Sequence, residues 1–128
     1  MERAFSASLE RIRANPTHRL WGDRVMISRE RAVIVGSVVF HGGPDAQGEV
    51  EIAYGVEGES QGQGYATEGT RAALDWAIQQ PEVSVVRAIT PPFHHASQRV
   101  LEKIGMQRLG TIPHDMFGEV LEYEKRRP

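Results

Sequence analysis

The stretch Gln61-Gly62-Gln63-Gly64-Tyr65-Ala66 constrains this chain more than any other part of it. A strand-like run, Val50 to Val56, leads into it, and a helix-like run from Thr67 leads out. Glycine at Gly62 and Gly64 lets the backbone turn where other residues resist and lets it approach a ligand closely. A helix that starts just after such a turn presents unpaired N–H groups and the positive end of its dipole. Strand, glycine turn and helix together predict a phosphate cradle in the middle of the chain.

The rest of the composition narrows the setting. The chain has 128 residues, which suits one domain spanning 1–128 with one core. Apolar residues make up 40% and charged residues 25%, an ordinary globular balance. The formal net charge of −2 gives no general attraction to nucleic acid or to an anionic membrane. With no cysteine, disulfides, thiolate nucleophiles and cysteine–zinc sites are excluded. The N-terminus, Met1 to Ser6, mixes charges and lacks an apolar signal core, so a cytoplasmic location is expected.

Periodicity predicts the element order α-β-β-β-α-β-α-β-β. A short helix is expected over Ser6 to Ala14, with Ser6 or Ser8 as its cap. Strands follow over Leu20 to Ser28 and Ala32 to His41, joined by Arg29-Glu30-Arg31. Glu49 to Val56 alternates, with Ile52, Tyr54 and Val56 on one face and Glu51, Ala53 and Gly55 on the other. Thr67 to Gln79 has a wide apolar face, and Pro81 closes it. Val83 to Ile89 reads as a strand covered on both faces. A third helix begins at His95 or Ser97 and ends at Gly105. Met106 to Ile112 and Met116 to Tyr123 form a closing hairpin about Pro113-His114-Asp115. Hairpins at both ends argue for an α+β sheet protein.

Three blocks then line up in order: Glu51-Ile52-Ala53-Tyr54, Gln61 to Glu68, and Ala96 to Met106 with its Leu101-Glu102-Lys103-Ile104-Gly105 core. Together they resemble the GNAT N-acetyltransferase superfamily, most closely its RimJ/RimL-like branch, from about Val33 to the C-terminus. In the family's loop pattern Gln61, Gly64 and Ala66 fill the fixed places. The resemblance implies a mixed, mostly antiparallel twisted sheet flanked by helices. It also implies acetyl-CoA as co-substrate, held by the loop Gln61, Gly62, Gln63, Gly64, Tyr65, Ala66 and Thr67. The amides of Gly62, Gly64, Ala66 and Thr67 would face the pyrophosphate. Val56 would bond the pantetheine arm, in a gap between splayed strands, and the acetyl carbonyl would sit near Tyr54 or Gly55.

The implied reaction is direct attack of an amine on the thioester in a ternary complex. A base must take a proton from the amine. The family's habit of placing a carboxylate on this strand makes Glu51 the first candidate and Glu49 the second. The departing thiolate needs a donor. Much of the superfamily uses a tyrosine four residues before the block's glycine, where this chain has Leu101. RimJ/RimL-like relatives use an earlier serine, and Ser97 fills that place, with an N-cap role as its other reading. His94 stands where relatives carry an asparagine that bonds the cofactor arm. Lys103 is a secondary contact for the ribose phosphate on an otherwise solvated helix face.

Only 18 residues precede Arg19, so the family's first strand and part of its N-terminal helical region are expected to be missing. The acceptor side would then be open, rebuilt by a second copy in a homodimer, or lost. That leaves two functional expectations: an acetyltransferase acting on a primary amine, such as a protein N-terminus or a small molecule, or a non-catalytic acyl-CoA-binding or regulatory module. A dinucleotide loop is rejected, because it needs an acidic residue on the next strand, about 20 residues on, and Val83 to Ile89 has none. His94, His95 and His114 have no ligand at supporting helical spacing, so no metal is expected.

Overall fold

Alternating apolar residues build a twisted sheet whose inner face takes two helices. The structure, a computed structural model, describes residues 21–58, 61–62 and 64–128. The helix expected over Ser6 to Ala14 and the loop residue Gln63 lie outside the described residues. The elements are β1 (Arg24–Ile27), β2 (Ile34–Phe40), β3 (Glu49–Val56), α1 (Tyr65–Gln79), β4 (Val85–Thr90), α2 (His95–Lys103), β5 (Gln107–His114) and β6 (Gly118–Arg126). The six strands order as β1-β2-β3-β4-β6-β5. Among the described residues only β3 and β4 run parallel; the other four pairings are antiparallel. The expected α+β class and mixed sheet are therefore present.

Val38 and Phe40 of β2, Val50 and Ile52 of β3, Val86 and Ala88 of β4, and Leu121 and Tyr123 of β6 join one buried core. The helix α1 meets it with Thr70, Ala73, Leu74 and Ala77, the i, i+3, i+4, i+7 stripe of an amphipathic helix. Leu101 brings α2 into the same core. After α2, Gly105 takes φ +90°. Its N–H bonds Glu102 O at 3.1 Å while Met106 N bonds Leu101 O at 3.0 Å, the paired bonds of a Schellman stop.

Several boundaries differ from the expected ones. The strand expected from Leu20 begins only at Arg24, because Trp21 turns into the core and packs edge-on against Phe40 and Trp76. The turn after β1 is the expected Arg29-Glu30-Arg31 link, closed by backbone bonds of Ser28 with Ala32 and Val33. The strand expected to start at Val83 starts at Val85. Helix α1 begins at Tyr65, two residues ahead of Thr67. The last hairpin turns at Asp115 to Phe117, and β5 runs on through Pro113. That proline is tolerated because β5 is an edge strand, where one backbone donor has no neighbour to meet.

The strand β4 is also not apolar on both faces. Arg87 projects from the face opposite the helices, where it meets Glu49 at 3.0 Å, Glu122 at 3.3 Å and Glu124 at 3.9 Å. The Glu49 bond, ahead of the other charges, holds its guanidinium above the ordinary arginine range against the opposing effect of burial. One cation thus stitches β3, β4 and β6 together. Replacing it by methionine leaves these carboxylates facing one another, with Glu124 nearly buried. Breaking a fully buried pair costs about 3–5 kcal/mol, and partial exposure reduces this. We expect Arg87→Met to lose about 2 kcal/mol in urea unfolding.

Candidate functional site

The sheet opens at one place. Strands β3 and β4 pair only through Glu49–Val85, Val50–Val86 and Glu51–Arg87. Beyond that point β3 stays with β2 as far as Val56, and β4 stays with β6 as far as Thr90. Held by different neighbours, the two strands part and leave a cleft of about 560 Å³. The β3 edge from Ile52 to Val56 finds no partner on β4, so its backbone groups on that side, apart from the Val56 carbonyl that Gln61 engages, are available to an extended, amide-bearing ligand.

The glycine loop and the start of α1 form one end of this cleft. Gly62 and Gly64 have φ of +79° and +83°, and a Cβ on either would meet nothing within 4 Å. Backbone conformation, not crowding, therefore demands glycine there. Gly64 is the N-cap of α1, and among the described residues no side chain caps the helix. The first backbone bond of the helix runs from Glu68 N to Gly64 O, so the N–H groups before it face the cleft end without a side-chain acceptor. Gly62, Gly64, Ala66 and Thr67, the expected phosphate donors, all line the cleft.

Other loop residues take structural work. Gln61 Nε2 donates to Val56 O at 3.1 Å and closes the loop onto the end of β3. Tyr65 lines the cleft, but its hydroxyl donates to Ser28 Oγ at 3.2 Å and pins α1 to the first hairpin. Gln63 is outside the described residues.

The opposite wall comes from the start of α2. The capping reading moves from Ser97 to His94, whose Nδ1 accepts from Ser97 N at 3.2 Å. The Ser97 hydroxyl is thereby free for another partner, and it lies 2.7 Å from the Tyr54 hydroxyl across the cleft from β3. Tyr54 also donates to the Ser97 carbonyl at 3.1 Å. Burial raises the Tyr54 phenol above the ordinary tyrosine range, Ser97 opposes that shift, and nearby Tyr123 adds to it. Leu101, in the place of the family tyrosine, is buried and offers only an apolar wall.

The carboxylates stand elsewhere. Neither Glu49 nor Glu51 lines the cleft. Glu49 is committed to Arg87, whereas Glu51 is part-exposed with His41 Nε2 at 3.4 Å. Glu51 is on the β3 face opposite Tyr54, so the candidate base and the Tyr54–Ser97 pair approach from opposite sides of the sheet. Lys103 is the expected secondary contact near the loop, and two cations that periodicity did not pick out, Arg71 and Arg99, lie beside it. Arg99 and Lys103 line the cleft, and Arg71 donates to Lys103 O at 2.7 Å beside it. The spacing of Arg71 and Arg99 along two helices carried no motif. No group of residues that could hold a metal occurs among the described residues.

The model of the acetyltransferase (GNAT) domain matches residues 2–107. The chain belongs to this family. Over 81 residues, 63% of the chain, it is 30% identical to the uncharacterized N-acetyltransferase YjdG of Bacillus subtilis (strain 168), covering 48% of that protein. The chain spans about half the length of this relative. Among solved GNAT-like structures, the ribosomal-protein-S5-alanine acetyltransferase of Vibrio fischeri superposes with a TM-score of 0.81 at 18% identity, over 93% of this chain and 68% of that one. The AAC(6')-Ib complex with Parmomycin and AcetylCoA gives 0.71 at 19% identity, over 82% and 64%. At these identities the likeness is one of fold. The splayed sheet and the glycine loop thus belong to a GNAT domain.

Proposed function

We propose that residues 1–128 form one acetyl-CoA-binding domain of the RimJ/RimL-like kind that transfers acetyl to a primary amine. The observation that carries this reading is the opened β3–β4 edge with the uncapped α1 N-terminus at its end. The free β3 edge suits the amides of a pantetheine arm, and the loop suits a pyrophosphate. Arg71, Arg99 and Lys103 offer charge to the remaining phosphate. A neighbour of the same fold is solved with AcetylCoA, which agrees with this assignment. Val56, Tyr54 and His94 all line the cleft, which supports assigning His94 and Val56 to the arm and Tyr54 to the acetyl group.

Bound acetyl-CoA supplies the activated acyl group. Glu51, directly or through water, takes the amine's proton on the face away from the helices, and Ser97 serves the departing sulfur on the other. The acceptor is a protein N-terminus or a small-molecule amine, and the protein works in the cytoplasm. A homodimer is a further part of the proposal.

Thiol release from acetyl-CoA with a panel of amines and N-terminal peptides tests the reading. Turnover with at least one acceptor is expected. Binding without transfer to any of them would favour a regulatory module. Glu51→Gln should lower kcat about a hundredfold, within the usual range for a lost general base, and leave acetyl-CoA affinity unchanged. Undiminished turnover would remove Glu51 from the mechanism.

A further inference from the structure

Tyr54 has two partners on a single residue. Its hydroxyl is 2.7 Å from Ser97 Oγ and 3.1 Å from Ser97 O. The carbonyl can only accept, whereas the serine hydroxyl can donate or accept. Two proton arrangements satisfy these contacts. In one, Tyr54 donates to the carbonyl and Ser97 donates to Tyr54, so the serine proton points away from the cleft. In the other, Tyr54 donates to Ser97 Oγ, and the serine proton is released to point into the cleft. Both residues line that cleft. His94 takes the Ser97 amide, which fixes the backbone around which the hydroxyl turns.

We infer that Tyr54 is a positioning residue that aims and refills the Ser97 proton, so that the pair together replaces the donor absent at Leu101. This rests on the acetyl-CoA reading and adds a role for a residue on a different element. When the tetrahedral adduct collapses, the C–S bond breaks and its electron pair goes to sulfur. Sulfur takes the proton of Ser97 Oγ, and Ser97 takes the proton of Tyr54 Oη. Water returns a proton to Tyr54, balancing the one the amine gave up on the other side of the sheet. Burial favours the protonated phenol, so Tyr54 is a donor at neutral pH and does not rest as a tyrosinate.

A donor aimed at sulfur also stabilises the thiolate of bound CoA, whether or not an acceptor is known. The test is the thiol titration of CoA on the protein, followed by the NMR shift of the labelled carbon beside the sulfur. On the wild-type protein we expect roughly tenfold more thiolate at a given pH than in free CoA, one unit of downward shift. Tyr54→Phe and Ser97→Ala should each return the titration to that of free CoA while still binding it. Tyr54→Phe retains the ring, and unchanged thermal unfolding with CoA bound would show that packing is intact.

If Tyr54→Phe keeps the wild-type titration while Ser97→Ala loses it, Tyr54 has no such role. If the wild-type protein binds CoA but leaves its thiol as in solution, the whole relay is overturned. If CoA does not bind, the acetyl-CoA reading itself has failed. In turnover, Tyr54→Phe should lower kcat and leave KM for acetyl-CoA unchanged. A rise in KM with kcat unchanged would mark Tyr54 as a binding residue only.

Discussion

Gly64→Glu should abolish acetyl-CoA binding, with at least a hundredfold loss of affinity by calorimetry. The backbone there has φ +83°, so an L side chain costs about 1–2 kcal/mol before any ligand is considered. A stability loss of that size leaves most of the protein folded. A Cβ at this position meets nothing within 4 Å, so the substitution starts from open space and not from the core. The new side chain stands at the uncapped start of α1, where its carboxylate competes with a phosphate for the same N–H groups. Two lost charge-assisted bonds, at roughly 1.5 kcal/mol or more each, already amount to about a hundredfold. Unchanged affinity in a folded variant would refute the loop assignment.

The largest expected effect on stability is at Phe40. Its ring is fully buried, edge-on to Trp21 at 5.1 Å and tilted against Trp76 at 6.0 Å, with the Arg24 guanidinium 5.0 Å above it. Truncating such a ring removes buried area and leaves a cavity, at about 3–5 kcal/mol. Against a total of about 5–15 kcal/mol, Phe40→Ala should lower the thermal midpoint by roughly 10–20 °C. Phe40 does not line the cleft, so the folded fraction should bind acetyl-CoA normally. A small shift of a degree or two would contradict the packing described for this cluster.

The two variants differ because different parts of the sequence carry fold and site. The loop was legible because positive φ at Gly62 and Gly64 is a local demand that names its own residue type. The inner face of β3 was legible because alternation at Ile52, Tyr54 and Val56 has period two. Local signals ended where distant residues decided. Tyr54 and Ser97 are 43 positions apart, and only the fold brings their hydroxyls together. General preference offers Ser97 a capping role as its second reading, but the cap of α2 is His94, whose imidazole accepts from Ser97 N. The strand expected at Leu20 begins later because Trp21 gains more by burial in the aromatic cluster than by pairing.

Pro113 was read as part of a turn, yet it continues β5, and only the strand order reveals that β5 is an edge. Arg87 interrupts an apolar strand, which made sense once three glutamates from neighbouring strands were in place around it. Of the cations beside the loop, Arg71 and Arg99 were invisible for the same reason. Arg71 is on α1, whereas Arg99 and Lys103 are on α2.

The central claim is that the gap between β3 and β4 holds acetyl-CoA. Calorimetric titration of the wild-type protein with acetyl-CoA, alongside thermal unfolding with and without it, tests this most directly. Saturable heat with one molecule bound per chain and a raised melting midpoint are expected, both lost in Gly64→Glu. Absence of both heat and midpoint shift in the folded wild-type protein would contradict it.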